Sequence, residues 1–201
     1  MALSKIQSES INLADTFAFS GTVTGAGSEG LIHLETQEVT SAVADVKFGN
    51  DRFNTTYDQY RVFGRMVPAT DAVNLYYRFL NSSESDITGT SYYRWSNNNG
   101  STSNADHGRI SSAIGASSVT ECGIQFVADI WLPHVGSTAD YASMVVGRTG
   151  RINNDQNPRT DVFVSQLRYD QVTTQPEGIK FYFSSGNISK ALISVFAVSQ
   201  G

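Results

Sequence analysis

Tyr60-Arg61-Val62-Phe63-Gly64-Arg65-Met66, then Pro68-Ala69-Thr70-Asp71, then Val73-Asn74-Leu75-Tyr76-Tyr77-Arg78-Phe79: this stretch decides the fold class. In the first run Tyr60, Val62, Gly64 and Met66 alternate with Arg61, Phe63 and Arg65. In the second, Val73, Leu75, Tyr77 and Phe79 alternate with Asn74, Tyr76 and Arg78. Side chains of a strand point to opposite faces in turn, so this period of two predicts antiparallel strands with one face buried. Between the runs, proline presets a turn and aspartate accepts backbone hydrogen bonds.

The same pattern recurs outward from there. Ile124, Phe126, Ala128, Ile130 and Leu132 alternate with Gln125, Val127 and Asp129, and Ile179, Phe181 and Phe183 alternate with Lys180 and Tyr182. Ser184-Ser185-Gly186-Asn187 then predicts a hairpin whose glycine takes positive φ, leading into a last strand over 191–198. No window of ten residues carries apolar positions at helical spacing. Many short strands with turn signals between them predict an all-β protein, an antiparallel β-sandwich of jelly-roll-like type with an extended N-terminal segment. The irregular spacing argues against a propeller or solenoid.

Composition narrows the function classes. Of 201 residues only 16% are charged while 11% are aromatic, so the chain has a core and a weakly charged polar surface, which suits a protein packed into an assembly. The net charge is -5 and no Lys/Arg run occurs, which argues against nucleic-acid binding. The single cysteine, Cys122, excludes an internal disulfide and reads as a small buried residue. No stretch approaches a membrane helix, and Met1-Ala2-Leu3-Ser4-Lys5 lacks the apolar core of a signal peptide. The expected organisation is a docking or oligomerisation segment over residues 1–30 and a sandwich over 31–201. The apolar residues Ile11, Leu13, Phe17, Phe19 and Val23 are the candidate docking contacts of the first part.

Several stretches together resemble the small virion and tail-appendage proteins of tailed bacteriophages. They are the leader from Ser10 to Val23; the strand-turn-strand element Tyr60 to Phe63, Val67 to Asp71 and Asn74 to Phe79; Tyr92-Tyr93-Arg94-Trp95; and the close from Gly178 to Ser189 leading into Ile193-Ser194-Val195-Phe196. About half of the chain takes part. The chain departs from the pattern at Lys190-Ala191, where the family often has glycine, and in its close, Ser199-Gln200-Gly201. The resemblance implies a jelly-roll-type sandwich that assembles as a homotrimer, is made in the host cytoplasm and resides in the virion. It would bind other virion proteins of tail or capsid, and the expectation is a tail-fibre or tail-tip adhesion module that meets a host-surface glycan. A capsid decoration protein and, more remotely, a polysaccharide depolymerase are the alternatives.

Few residues suggest chemistry. His33, His107 and His134 stand apart, which predicts no metal pair, and no cofactor or catalytic residue is expected. Glu35 with Glu38, Glu84 with Asp86, and Asp155 with Asp161 could be imagined as glycosidase pairs but read as solvated carboxylates. Asp51, Asp58, Asp71, Asp86 and the Asp155-Gln156-Asn157 patch supply oxygen without an EF-hand pattern. Gly25-Ala26-Gly27-Ser28-Glu29-Gly30 spells the dinucleotide spacing without a strand-helix context, and reads as a hinge. The binding candidate is the aromatic cluster Tyr92, Tyr93 and Trp95 with Arg94, beside a polar loop over 97–104 that opens with Asn97, Asn98 and Asn99; aromatic faces with amides and a guanidinium suit sugar rings. The competing reading packs Tyr93 and Trp95 in the core and leaves Tyr92 and Arg94 outside. Arg148, Arg151 and Arg159 are expected to be exposed around a second loop, rich in Asn and Gly, where they could meet an acidic partner or simply keep the loop soluble.

Overall fold

The computed structural model describes residues 30–49, 52–53, 56–88, 92–96, 100–115, 123–132, 143–152, 157–167 and 176–199. The leader residues Ile11, Leu13, Phe17, Phe19 and Val23, and Asn97, Asn98, Asn99, Cys122 and His134, lie outside them. The described elements are all strands: β1 (Leu31–Val39), β2 (Asp45–Phe48), β3 (Gln59–Pro68), β4 (Val73–Leu80), β5 (Tyr92–Ser96), β6 (Gly100–Ala105), β7 (Gly108–Ile114), β8 (Gly123–Trp131), β9 (Ser143–Ile152), β10 (Pro158–Leu167), β11 (Gly178–Phe183) and β12 (Ile188–Val198).

The pairings show how the chain is wound. It behaves as one long antiparallel ribbon in which β1 lies on β12, β2 on β11, β3 on β8 and β4 on β7. Rolling that ribbon over adds β12 to β3 in one sheet and β11 to β4 in the other. Six pairings of this kind make a jelly roll, so the expected fold is present. Two inserted hairpins, β5–β6 and β9–β10, extend only the first sheet, beyond β8. The result is an eight-stranded sheet, β1-β12-β3-β8-β9-β10-β5-β6, packed on a four-stranded one, β2-β11-β4-β7.

The alternation read from the sequence sets the core. Tyr60, Val62 and Met66 of β3 face inward, as do Phe126, Ala128 and Ile130 of β8 and Ile193 and Val195 of β12. From the other sheet come Leu75, Tyr77 and Phe79 of β4 and Ile179, Phe181 and Phe183 of β11. Phe126 and Phe181 meet across the sandwich with ring centroids 5.5 Å apart. Opposite Phe126 on β3 stands Gly64, where a Cβ would collide with the Phe126 ring, so the glycine leaves the room that this ring fills. The last hairpin turns at Gly186 with φ of 69°, the positive value expected of it.

Two local expectations are corrected. Residues 100–104, read as part of the polar loop over 97–104, belong to β6, which pairs with β5. A strand of Gly, Ser, Thr, Asn and Ala has no apolar alternation to betray it, since it is added at the sheet's end. Tyr92, expected at the surface, is fully buried. Its hydroxyl donates to the Ile87 carbonyl at 3.1 Å and accepts the Phe79 amide at 2.9 Å. Its ring stacks near Phe79 at 6.3 Å and meets Tyr77 edge-on at 6.1 Å. Tyr92 on the eight-stranded sheet thus joins β4 of the other. Burial pushes its phenol far above the usual tyrosine range, so it stays neutral.

A Tyr92→Phe substitution removes both hydrogen bonds and leaves the Phe79 amide short of a buried acceptor. It should lower stability by about 1–3 kcal/mol. The loss would appear as a lower urea midpoint with an unchanged slope, and an unchanged midpoint would contradict the stapling role.

Candidate functional site

The outer faces of the two sheets differ in character. On the small sheet, Lys47, Lys180 and Arg78 stand directly opposite one another on β2, β11 and β4. Three like charges in one cross-strand row repel, so carboxylates must reach them. Asp86 supplies the first, 2.7 Å from Lys180 Nζ and 2.9 Å from Arg78 Nη1. Asp106 supplies the second, 2.5 Å from Arg78 Nη2, and it also accepts from His107 Nδ1. Arg94 Nη1 lies 2.5 Å from His107 Nε2, and the His107 ring stacks on Tyr76 at 3.7 Å. A neutral imidazole satisfies both contacts, with Nδ1–H donating to Asp106 and Nε2 accepting from Arg94.

The electrostatics agree with that assignment. Burial lowers the His107 pKa, and the nearby Arg94 and Arg78 act in the same direction against the Asp106 contact. Burial disfavours ionisation at Asp86, yet hydrogen bonds from Lys180 and Arg78 outweigh it and hold the carboxyl below its ordinary value of 3.8. Asp106 is held down in the same way by His107 and Arg78. Burial pushes the Tyr182 phenol, with Arg78 and Lys180 over its ring, up to about 12. A glycosidase acid requires a raised carboxyl pKa, and both members of this network move the other way. The network therefore reads as the charge balance of a sheet face.

A second polar group ties the sheets together beneath β9 and β10. Arg151 and Asp161 form a buried ion pair at 3.0 Å, and Ser111 of β7 donates to the same carboxylate oxygen at 2.7 Å. Arg151, expected at the surface, is thus an interior residue. Its position on β9 has the parity of Val145 and Thr149, which face inward, whereas Arg148 has the outward parity.

The outer face of the eight-stranded sheet is the candidate binding surface. Strand register arranges its side chains in transverse rows. One row runs Glu38–Leu192–Arg65–Gln125–Gly150–Thr160 and the next Thr36–Ser194–Phe63–Val127–Arg148–Val162. All of these except Thr36 and Val162 line a shallow groove of about 1310 Å³. The third row, His33–Phe196–Arg61–Asp129–Val146–Val164–Trp95, holds a forked ion pair of Arg61 with Asp129 at 2.6 and 3.0 Å. Beyond it the face is apolar toward β5.

On β5, Tyr93 and Trp95 fall on this surface, the phase opposite to the reading that packs them in the core, while Tyr92, the third ring of the candidate cluster, does not. Tyr93 and Trp95 are 39% and 44% exposed, while Tyr92 and Arg94 point to the interior side. Tyr and Trp alternate there with Tyr and Arg, so hydropathy alone cannot choose the face. Pairing with β10 chooses it, by placing Leu167, an inward residue, opposite Tyr92. The structure therefore takes Tyr92 and Arg94 out of the expected site. It brings together Phe63, Arg65 and Gln125, which carried only the outward parity of alternating runs, Arg148, which was expected to be exposed, and Thr160, which carried no sequence signal. His33, expected as a strand residue, lies on β1, bonds Thr36 Oγ1 at 2.8 Å and meets Phe196 edge-on.

Among the described residues no group of three or more His, Cys, Asp or Glu is placed to hold a metal ion, and no helix is long and apolar enough to cross a membrane. No protein-family model, curated protein or solved structure matches the chain.

Two stability measurements check these networks. Asp161→Ala strands the buried Arg151 and should cost roughly 3–5 kcal/mol in chemical unfolding. Because the folded-state pKa of Asp86 lies below 3.8, its stabilisation is fully present above that value and is lost as pH falls through the folded pKa. Asp86→Asn should accordingly lower stability at pH 7 and reduce the slope of stability against pH below about 4. An unaltered acid limb would show that Asp86 carries none of it.

Proposed function

We propose that this chain is a non-enzymatic structural module of a tailed-bacteriophage particle, a tail-fibre or tail-tip domain that binds sugar on the host surface. The observation that carries the reading is the groove on the outer face of the eight-stranded sheet. An exposed Phe63 ring, an amide, a hydroxyl and guanidinium groups share that face on paired strands. Aromatic C–H contact combined with a few oriented polar groups is what a saccharide requires. Strands hold such groups more rigidly than loops do, so little ordering entropy opposes binding. The resemblance of Tyr60–Phe79 and Gly178–Phe196 to phage appendage proteins supports placement in a virion, with other virion proteins as partners.

A single shallow site binds weakly, and repetition turns weak sites into firm attachment. The chain acts as a homotrimer in this reading. Support comes from the apolar end of the same face, where Tyr93, Trp95 and Val162 are exposed together, since grouped apolar exposure marks contact surfaces. The non-enzymatic part rests on the carboxylates. Asp86 and Asp106 are neutralised by cations on the other sheet, and Glu38 is the one carboxylate lining the groove among the described residues. Capsid decoration is the competing role, in which the same face would lie against shell subunits.

Immunogold labelling of intact particles with antibody to the purified protein tests the placement. Gold at the tail or its fibres is expected. Gold spread over the head would overturn the attachment reading in favour of decoration, and absence of label from disrupted as well as intact particles would overturn the virion reading. Light scattering should give three times the chain mass of 21.8 kDa, and a monomer at micromolar concentration would overturn autonomous trimerisation.

A further inference from the structure

We infer that the groove on the eight-stranded sheet selects an acidic polysaccharide, one bearing carboxylates such as a polyuronate. The inference rests on the attachment reading above and specifies its ligand. The protein carries a net charge of -5, yet this groove reverses the sign. Arg65, Arg148, Arg159 and Lys190 line it against Glu38 alone among the described residues. The side chains of Arg65, Arg148 and Lys190 have no hydrogen bond or ion pair with any described residue, in contrast to Arg61, Arg78 and Arg151, each of which is matched by an aspartate. An unmatched guanidinium in a concave surface keeps its fork of donors available for a planar carboxylate.

The register gives the spacing. Arg65 on β3 and Arg148 on β9 are separated by the intervening β8 and by one row along the strands, which places their Cα atoms roughly 12 Å apart. Two separate cations suit acid groups repeated along a polymer better than one small anion. Beside Arg148, across β8 from Arg65, the floor is open. A Cβ at Gly150 would touch nothing within 4 Å, so the backbone itself forms the base of the groove there. Phe63, 40% exposed, flanks this floor and offers a ring for sugar C–H faces. Gln125 and Thr160 border it and supply partners for hydroxyls. A nucleic acid would present denser charge and would call for a basic run that the chain lacks.

The test uses the full chain with polygalacturonate and with the same polymer after carboxyl reduction, which keeps the sugars and removes the charge. Binding is followed by affinity electrophoresis and titration calorimetry. Wild-type protein should bind the polyuronate and bind the reduced polymer at least about tenfold more weakly, the loss expected when a charge-assisted contact goes. Arg65→Gln and Arg148→Gln should each weaken polyuronate binding about tenfold. Gly150→Trp should block it, because the added ring enters empty groove and not the core. Lys47→Gln on the opposite sheet removes the same charge and should bind as wild type does. Unchanged thermal unfolding certifies each variant as folded. Equal weakening by Lys47→Gln would overturn the inference by showing general charge attraction. Preference for the reduced polymer, blocked by Gly150→Trp, would leave the attachment reading standing and overturn the acidic ligand. Binding of single-stranded DNA in preference to polyuronate, or of neither polymer, would also overturn it.

Discussion

Phe126 against Phe181, with Gly64 making room beside them, is the contact on which the rest of this sandwich depends. It lies where the rolled ribbon brings β8 and β11, from opposite sheets, face to face. Each sheet can bury its apolar side only against the other, so the separation of the sheets is fixed by the rings that meet between them. Gly64 is part of that fit: any side chain there would push Phe126 from its place. The alternation of β3, β4, β8, β11 and β12 follows from this requirement, and it leaves the complementary residues of every strand facing outward.

Outward residues then have two different fates. On the small sheet the outward parity sets Lys47, Lys180 and Arg78 side by side, and the chain answers with Asp86 and Asp106 from flanking segments. The result is a balanced, largely self-satisfied surface. On the large sheet the inserted β9–β10 hairpin widens the face, and among the described residues no carboxylate matches Arg65 or Arg148. Inward, the same insertion is held by Arg151, Asp161 and Ser111, and the β5–β6 hairpin beyond it by Tyr92. Polar anchoring beneath the insertion and open cations above it are consequences of one addition to a jelly roll.

The local expectations that failed share a cause. Tyr92-Tyr93-Arg94-Trp95 contains no residue that hydropathy can assign to one face, because Tyr, Trp and Arg each carry an apolar body and a polar tip. Either phase is acceptable to the strand alone. The phase is set by Leu167 on the neighbouring β10 and by the buried acceptor that Ile87 offers to the Tyr92 hydroxyl. Arg151 failed for a similar reason. An arginine near glycines and asparagines reads as solvated until a partner from ten residues away, Asp161, is seen beside it in the interior.

The sequence by itself determined that this is an all-β sandwich, where β3, β4, β8, β11 and β12 lie and that its last hairpin turns on Gly186, but not that β9 and β10 are strands. These properties are local: period-two alternation and turn chemistry are written in adjacent residues. It also showed a chain without a basic run, an internal disulfide or a helix pattern. Only the tertiary structure decided that the strands pair as a rolled ribbon and that two hairpins extend one sheet. Only there do Phe63, Arg65, Gln125, Arg148 and Thr160, spread over nearly 100 positions of sequence, come to share one face. A cross-strand row is made of residues from separate strands, and nothing in any one strand records which neighbour it will receive.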